Sequence, residues 1–453
     1  MLPTMRIDMI EKYDRRVPRY TSYPTAPHFH AGVDGATYRA WLAALPDDTV
    51  ASLYVHVPFC DTMCWFCGCH TRITRRYAPV SRYLDVLDDE IDRVAETIGR
   101  LLPVTHIHWG GGTPTMLSPA DIARVTGRLR RRFAVRPEAE FAVEIDPRGL
   151  ERETVAALAE AGVTRASLGV QDVNDAVQRA VNRVQPLAVT RAVTDWLRAA
   201  GIKGINIDLM YGLPHQTVTG VRHTVDCVLD LDPDRIALFG YAHVPWMKRH
   251  QRLIDEAALP DGEERARQFE AAAARLAEAG YVWIGLDHFA RPDDPIVTAL
   301  EAGRLKRNFQ GYTTDDAPVL LGFGASAIGA LPQGYVQNAA ALPVYRQAIE
   351  GGGLATARGI APTPEDRLRR AVIERLMCDR RVDLAAVCRV HRRGPETLSD
   401  ARPRLAAMVA DGLIAIDGDR IEVLTAGYPL VRAVCAAFDQ YLAPGETRHA
   451  RAV

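Results

Sequence analysis

The sequence has no surplus of either charge: 55 Lys and Arg stand against 56 Asp and Glu, a net charge of −1 over 453 residues. Proteins that wrap nucleic acid or lie on anionic lipid usually carry a strong basic excess, so neither partner is expected. Lysine is nearly missing, at positions 12, 203, 248 and 306 only. Almost every cation is therefore an arginine, a weak pointer to carboxylate or phosphate recognition. Long hydrophobic runs are missing too. The best candidate for a bilayer span, residues 317–331, is uncharged, but it is rich in glycine and shorter than the ~20 residues required. The first sixteen residues are charged and lack the apolar core of a signal peptide, so a cytoplasmic monomer is expected. What remains is a globular composition, 48% hydrophobic and 25% charged, long enough for two or three domains around a large core.

Cysteine is also scarce outside one place. Of eight, four fall at 60, 64, 67 and 69, inside ten residues; the others, at 227, 378, 388 and 435, sit in apolar, helix-like sequence. A disulfide framework belongs to small secreted domains, which this chain is not. The scattered four are expected to be buried structural thiols. The cluster needs another explanation.

Between residues 51 and 286 strand-like and helix-like patterns alternate. The expected strands are Ala51–Val57, Val104–Trp109, Glu140–Ile145, Arg165–Val170, Ile205–Met210 and Arg235–Gly240, with Tyr281–Leu286 as a possible edge. The clearest helix places Leu84, Leu87, Ile91, Val94 and Ile98 on one stripe. Ser118-Pro119 reads as a helix start, and Gly162 and Gly201 as helix ends. Such repetition implies a parallel sheet, barrel-like or doubly wound. The polar residues favour the barrel. The cysteine cluster follows strand one, and Gly110-Gly111-Gly112-Thr113-Pro114 follows strand two. Glu144 and Asp146 end strand three, Gln171-Asp172 follow strand four, Asp208 lies in strand five and His243 lies beyond strand six. Chemistry gathered at the carboxyl ends of strands is the mark of α/β-barrel active sites.

Beyond Pro292 the pattern changes. Residues 308–314 read as a loop, and 363–442 as a small helical unit closing in a hairpin with an Asp417-Gly418 turn. Helices before a hairpin resemble a winged helix and raise nucleic-acid binding as a rival. The stretch from Thr363 onward, however, holds 15 Arg and 13 acids, too even for a DNA footprint. A packing or lid role is preferred. The basic run 128–132 is expected to be the solvated face of a helix.

Four thiols in ten residues suggest a metal. A tetrahedral zinc site usually draws on two separated pairs. Ferredoxin ligands are spaced two apart with Pro after the last Cys, whereas here the first gap is three and His70 follows Cys69. Cys67 and Cys69, one residue apart, are awkward partners on one iron–sulfur cube, so Cys60, Cys64 and Cys67 fit best as ligands. A cube on three thiolates leaves one iron open to a reactant.

The three-then-two spacing, with Phe66 before the third Cys, resembles the radical S-adenosylmethionine superfamily. Further stretches narrow the likeness: Gly68-Cys69, Arg19–Thr25, Gly169–Asp172, Asn206–Pro214, Asp287–Pro292 and Asn308–Tyr312. Over nearly the whole chain these resemble the oxygen-independent coproporphyrinogen III oxidases, with Trp65 where Tyr is frequent as a small departure. The resemblance implies a partial (β/α)6 barrel over 49–345, an N-terminal arm over 1–48 and a mostly helical C-terminal domain over 360–453. It implies a [4Fe-4S] cluster on Cys60, Cys64 and Cys67, and two S-adenosylmethionine molecules. The residues implied to line them are Tyr54, Phe66, Gly111, Gly112, Thr113, Glu144, Gln171, Arg183, Asp208, Ala242 and Ile328. Tyr54 and Cys69 are the candidates at the reacting centre. The implied reaction is anaerobic oxidative decarboxylation of propionates on coproporphyrinogen III, with an unidentified electron donor and acceptor. Arg19, Arg291 and Arg307 are candidates to hold propionates. The rival from another class is a haem- or cluster-binding carrier without turnover.

Overall fold

The computed structural model describes residue 9 and residues 12–442. Its centre is a twelve-stranded sheet. In chain order the strands are β1 (Ala51–Val57), β2 (Pro103–Gly111), β3 (Ala134–Ile145), β4 (Arg165–Gln171), β5 (Gly204–Tyr211) and β6 (Arg235–Gly240). They continue as β7 (Val282–Ile284), β8 (His288–Ala290), β9 (Val319–Phe323), β10 (Ile328–Leu331), β11 (Gly334–Asn338) and β12 (Thr356–Ile360). Strands β1 to β6 pair in sequence order and in parallel. That is the expected partial barrel, and each crossover supplies the helix that covers it.

The sheet extends further than periodicity suggested. β9 pairs in parallel with β1 on its free side, and β10 to β12 follow it antiparallel. Its sequence belongs to the uncharged, glycine-rich run considered as a membrane candidate; no helix among the described residues is long and apolar enough to cross a membrane. At the other end β8 and β7 add an antiparallel edge, so the Tyr281–Leu286 strand is present. Residues expected to form a loop instead make a hairpin, Lys306–Asn308 with Gly311–Thr313.

Helix α1 (Ala78–Ile98) buries Leu84, Leu87, Ile91, Val94 and Ile98 against the sheet, and α2 (Pro119–Arg132) begins with Ser118 accepting from the Asp121 N–H. Gly162 and Gly201 stand at φ +86° and +89° just past helix ends, where other residues would be strained. The basic run corrects expectation. Arg124, Arg128 and Arg132 do not simply face water; they pair with Asp85, Asp88, Asp92 and Glu96 of α1, while Leu129 is buried. The scattered thiols are buried at Cys378, Cys388 and Cys435, but Cys227 is only half-buried, beside His223.

Residues 364–436 form helices and a three-stranded sheet, with the hairpin Ile414–Asp417/Arg420–Val423 turning at Gly418, φ +59°. The unit is not free-standing. Met9, Tyr13, Tyr20 and Tyr23 of the arm belong to its core. Tyr20 donates to Asp439 and Arg432 to the Pro18 carbonyl, both at 3.0 Å. Tyr312 donates to the Met377 carbonyl at 2.9 Å.

Candidate functional site

A cavity of about 150 Å³ opens at the carboxyl ends of β2 to β5. Its wall carries Cys60, Cys64, Cys67 and Cys69, then Phe66, Gly111, Gly112 and Thr113, and opposite them Glu144, Gln171, Arg183 and Asp208. Residues spread over some 150 positions are thus brought together by consecutive parallel strands. Three candidates lie elsewhere. Tyr54 sits on β1, its hydroxyl 3.0 Å from His56 Nδ1 and its ring stacked on His108. Ala242 follows β6 and lines a different cavity. Ile328 opens β10, packed beside Phe29 and Tyr335.

The glycine loop is fixed by what surrounds it. Gly112 N–H donates to the Val57 carbonyl and Thr113 N–H to that of Phe59, at 2.8 and 2.7 Å. A Cβ on Gly112 would stand 2.5 Å from the Phe59 oxygen, and one on Gly111, at φ +118°, 2.7 Å from the His56 ring. So the glycines are required by close approach of two strand ends, besides leaving backbone open to a ligand. The loop in turn carries Glu144, whose Oε2 accepts from Gly111 N–H at 3.0 Å and whose Oε1 lies 3.2 Å from His108 Nε2. Burial opposes the carboxylate charge, but His108 and the Gly111 N–H outweigh it and hold its pKa below the ordinary value.

Asp208 behaves in the opposite way. It accepts from Ser167 Oγ at 3.0 Å and Asn206 Nδ2 at 2.8 Å, yet burial and the nearby Glu144 charge push its pKa up to about 6. Gln171 is held at φ +70°, an unusual conformation for a residue other than glycine, and its Oε1 is buried with no hydrogen-bond partner. The strained backbone and the unsatisfied amide oxygen together mark Gln171 as a functional candidate.

The thiols are set in distinct surroundings. Cys60 Sγ receives the Thr71 hydroxyl at 3.2 Å and lies 3.3 Å from Thr113 Oγ1. Cys64 is buried and faces two guanidiniums, Arg148 Nη2 at 3.2 Å and Arg183 Nη1 at 3.3 Å. Both arginines share the one carboxylate of Asp146, at 2.7 and 3.0 Å, which leaves net positive charge beside Cys64. Cys67 Sγ accepts from Cys69 N–H at 3.3 Å. A hydrogen bond from the Cys69 thiol pushes the Cys67 thiol down, and the same bond with burial pushes Cys69 well up. Cys69 opens both onto this cavity and onto the polar lumen of the barrel.

Sequence reasoning missed the residues that hold the loop from outside. Gln251 Nε2 donates to the Phe66 and Ala242 carbonyls, at 3.0 and 3.3 Å, His250 reaches the Cys67 carbonyl at 2.7 Å, and Lys248 that of Cys69 at 3.0 Å. They lie in an irregular stretch with no periodicity, and only their closeness to Tyr241-Ala242-His243 pointed there. Arg148 was missed as well, although it follows the flagged Asp146 by two residues.

The donor set fits an iron–sulfur cluster: three thiols share one wall, hydroxyl or guanidinium groups support Cys60 and Cys64, and the Cys69 N–H donates to Cys67 Sγ. Comparison with known proteins points the same way. Residues 54–228 match the radical SAM superfamily and residues 363–430 the HemN C-terminal domain. The chain is 54% identical to the oxygen-independent coproporphyrinogen III oxidase of Bradyrhizobium diazoefficiens, covering 99% of this chain and 100% of that one. With the Paracoccus denitrificans protein of the same name it shares 44% identity over 96% of each chain. The solved structure of coproporphyrinogen III oxidase (HemN) from Escherichia coli, described as a radical SAM enzyme, matches with a TM-score of 0.92 at 38% identity, over 97% of this chain and 100% of that chain. Relatives of this kind are oxidases, which disfavours the carrier reading, and likeness at this level runs from the arm to the C-terminal unit. The chain belongs to the oxygen-independent coproporphyrinogen III oxidases of the radical SAM superfamily.

Proposed function

We infer that the protein converts propionate side chains of coproporphyrinogen III to vinyl groups without oxygen, giving protoporphyrinogen IX. The observation that carries this reading is the single cavity in which three thiols, a glycine loop and the carboxylates Glu144 and Asp208 face one another. A [4Fe-4S] cluster and S-adenosylmethionine held there would supply the one-electron chemistry that removes a hydrogen from the propionate β-carbon. Loss of carbon dioxide and one electron from the resulting substrate radical leaves the vinyl group, so an external donor and an external acceptor of electrons are both required.

Cys60, Cys64 and Cys67 would hold the cube, with Arg148 and Arg183 offsetting the thiolate charge at Cys64. Gly111, Gly112 and Thr113 leave backbone groups open to the methionine end, while Glu144, Gln171 and Asp208 accept from ammonium or ribose hydroxyls. Phe66 supplies apolar contact beside the thiols, and Ala242 and Ile328, outside that cavity, would do so only for the second S-adenosylmethionine. Tyr54 stays neutral, because burial and the Glu144 charge push its hydroxyl pKa up. It is therefore a hydrogen-bonding group and not a base. Cys69 faces the reactants and not the metal. The arm over 1–48, the barrel over 49–345 and the C-terminal domain over 360–453 act as one cytoplasmic monomer enclosing the substrate. Anaerobic incubation with coproporphyrinogen III, a reductant and S-adenosylmethionine, followed by product masses, tests the reading. Stepwise loss of carboxyl groups is expected, and cleavage of S-adenosylmethionine with the tetrapyrrole untouched would refute it.

A further inference from the structure

A second cavity, of about 260 Å³, lies where the arm, the carboxyl ends of β5 and β6 and the C-terminal unit meet. It shares no lining residue with the thiol cavity. Ala242 is on its wall, and Gln251 ties the Ala242 carbonyl to that of Phe66 in the cysteine loop. The two spaces are therefore neighbours joined through one side chain.

The wall is rich in guanidinium. Arg16 and Arg19 come from the arm, Arg265 from the helix Gly262–Glu278 and Arg432 from Val431–Ala436. Three acids, Asp14, Asp261 and Asp287, share the wall, one fewer than the arginines. Asp261 caps its helix by accepting from Glu264 N–H, and Asp287 is bonded to His288 at 2.7 Å. Arg19 stands 3.9 Å from Asp287 and donates to the Gly240 carbonyl at 3.3 Å. Arg432 is buried, and burial together with the Arg19 charge pushes its pKa down to about 10. Gly212, at φ +82°, makes room for Arg265: a Cβ there would collide with Nη1. The rest of the wall mixes apolar groups, among them Trp246, Phe269, Leu238 and Leu259, with Tyr211, Tyr241 and His243.

Apolar faces crossed by several guanidiniums suit a hydrophobic ring that carries carboxylate arms. At about 260 Å³ the space falls below the roughly 300–1,000 Å³ of sites that enclose a drug-sized ligand, so it takes an arm and not a whole macrocycle. We propose that this cavity holds carboxylate side chains of the tetrapyrrole that are not under attack, with Arg19 and Arg265 as their partners, while Arg432 ties the arm behind them through the Pro18 and Val17 carbonyls. The proposal rests on the coproporphyrinogen reading and assigns the part of the substrate that the thiol cavity cannot hold. It also revises the candidate arginines. Arg19 is retained and Arg291 is spent on Asp232 at the surface; Arg307, off this wall, donates through Nη2 to the Arg19 carbonyl but keeps Nε and Nη1 buried without a hydrogen-bond partner, so it stays a candidate.

The test uses the full chain with its cluster, and two stable probes: coproporphyrin III, the oxidised macrocycle with the same carboxylates, and its methyl ester. Binding is read by fluorescence quenching. Arg265→Gln and Arg19→Gln should each weaken binding of the acid about tenfold or more, the usual cost of removing one partner from a charge-assisted hydrogen bond. Neither should move the ester, and Arg265→Lys should recover part of the loss. In turnover the glutamine variants should raise KM more than they lower kcat, with the reduced-cluster EPR response to S-adenosylmethionine unchanged. Parental affinity for the acid in both variants, or equal weakening of acid and ester, would overturn the assignment. Failure of the parent to decarboxylate would instead count against the coproporphyrinogen reading, independently of these arginines.

Discussion

The two cavities are both lined by ionisable side chains, but they select opposite charges. The thiol cavity offers sulfur and the carboxylates of Glu144, Asp146 and Asp208, and Asp146 is shared by the two guanidiniums beside Cys64, Arg148 and Arg183. It suits cationic metal and the cationic sulfonium. The second cavity has more guanidinium than carboxylate and partly apolar walls. The difference teaches how one reaction can hold a positively charged cofactor and a polyanionic substrate side by side: opposite electrostatics are kept in separate compartments with Gln251 between them.

The largest expected effects break the first compartment outright. Cys60→Ser, Cys64→Ser and Cys67→Ser should each abolish the brown chromophore and all formation of 5'-deoxyadenosine after anaerobic reconstitution. Cys69→Ser should keep iron and sulfide near parental levels while losing decarboxylation. Full activity with zinc and no iron would contradict the cluster, and loss of the cube in Cys69→Ser would make that thiol a fourth ligand.

Asp146→Asn comes next. It leaves two guanidiniums beside Cys64 without their carboxylate, so a destabilisation of about 3 kcal/mol is expected from breaking a buried ion pair. The extra positive charge should also raise the cluster's reduction potential. Denaturant titration and redox titration followed by EPR separate the two effects; an unchanged potential would show that the arginines do not act on the cluster.

These residues also mark what was legible in the sequence. The cysteine spacing, the glycine loop and the strand-end acids each lie within a short segment, and parallel strands bring such segments together without further information. The six strands and their order followed for the same reason. The second cavity depends on contacts between the arm near residue 19, the stretch 211–269 and Arg432. No local pattern records pairings that distant. β9 escaped notice because a fully buried parallel strand shows no alternation, and its glycines read as a breaker. The ladder from Arg124 to Arg132 read as solvated because its partners are on another helix.

A smaller effect sharpens the comparison through pH. Asp208 has its pKa raised from 3.8 to about 6, so its charge is present above that pH and lost below it. For folding, the raised value means that the ionised group costs stability, a cost absent below 3.8 and complete above about 6. For the cofactor the sign is reversed, since a cation favours the carboxylate. Affinity for S-adenosylmethionine should fall as pH drops through about 6, by up to about tenfold per unit. Asp208→Asn should remove that slope while leaving carboxylate binding in the second cavity unchanged. A slope that persists in the variant would assign the titration elsewhere.

The smallest effect is expected outside both cavities, and it tests whether arginine chemistry alone explains anything. Arg128 pairs with Asp88 at 3.3 Å and Asp92 at 2.6 Å across α1 and α2, a geometry as good as that of Arg183 with Asp146 at 3.0 Å. Its partners, however, are shared. Asp88 keeps Arg124 at 2.8 Å and Asp92 keeps Arg132 at 2.7 Å when Arg128 is removed, so no carboxylate is stranded. Arg128 is also partly exposed, at 29%, where solvent and salt screen the pair. Arg128→Ala should therefore cost about 0.5–1 kcal/mol by denaturant titration, less at high salt, with turnover and probe binding at parental values. If this variant changed KM for the tetrapyrrole as Arg265→Gln is expected to, guanidinium loss anywhere on the chain would produce the signal. The distinction between the two cavities and the rest of the surface would then fail.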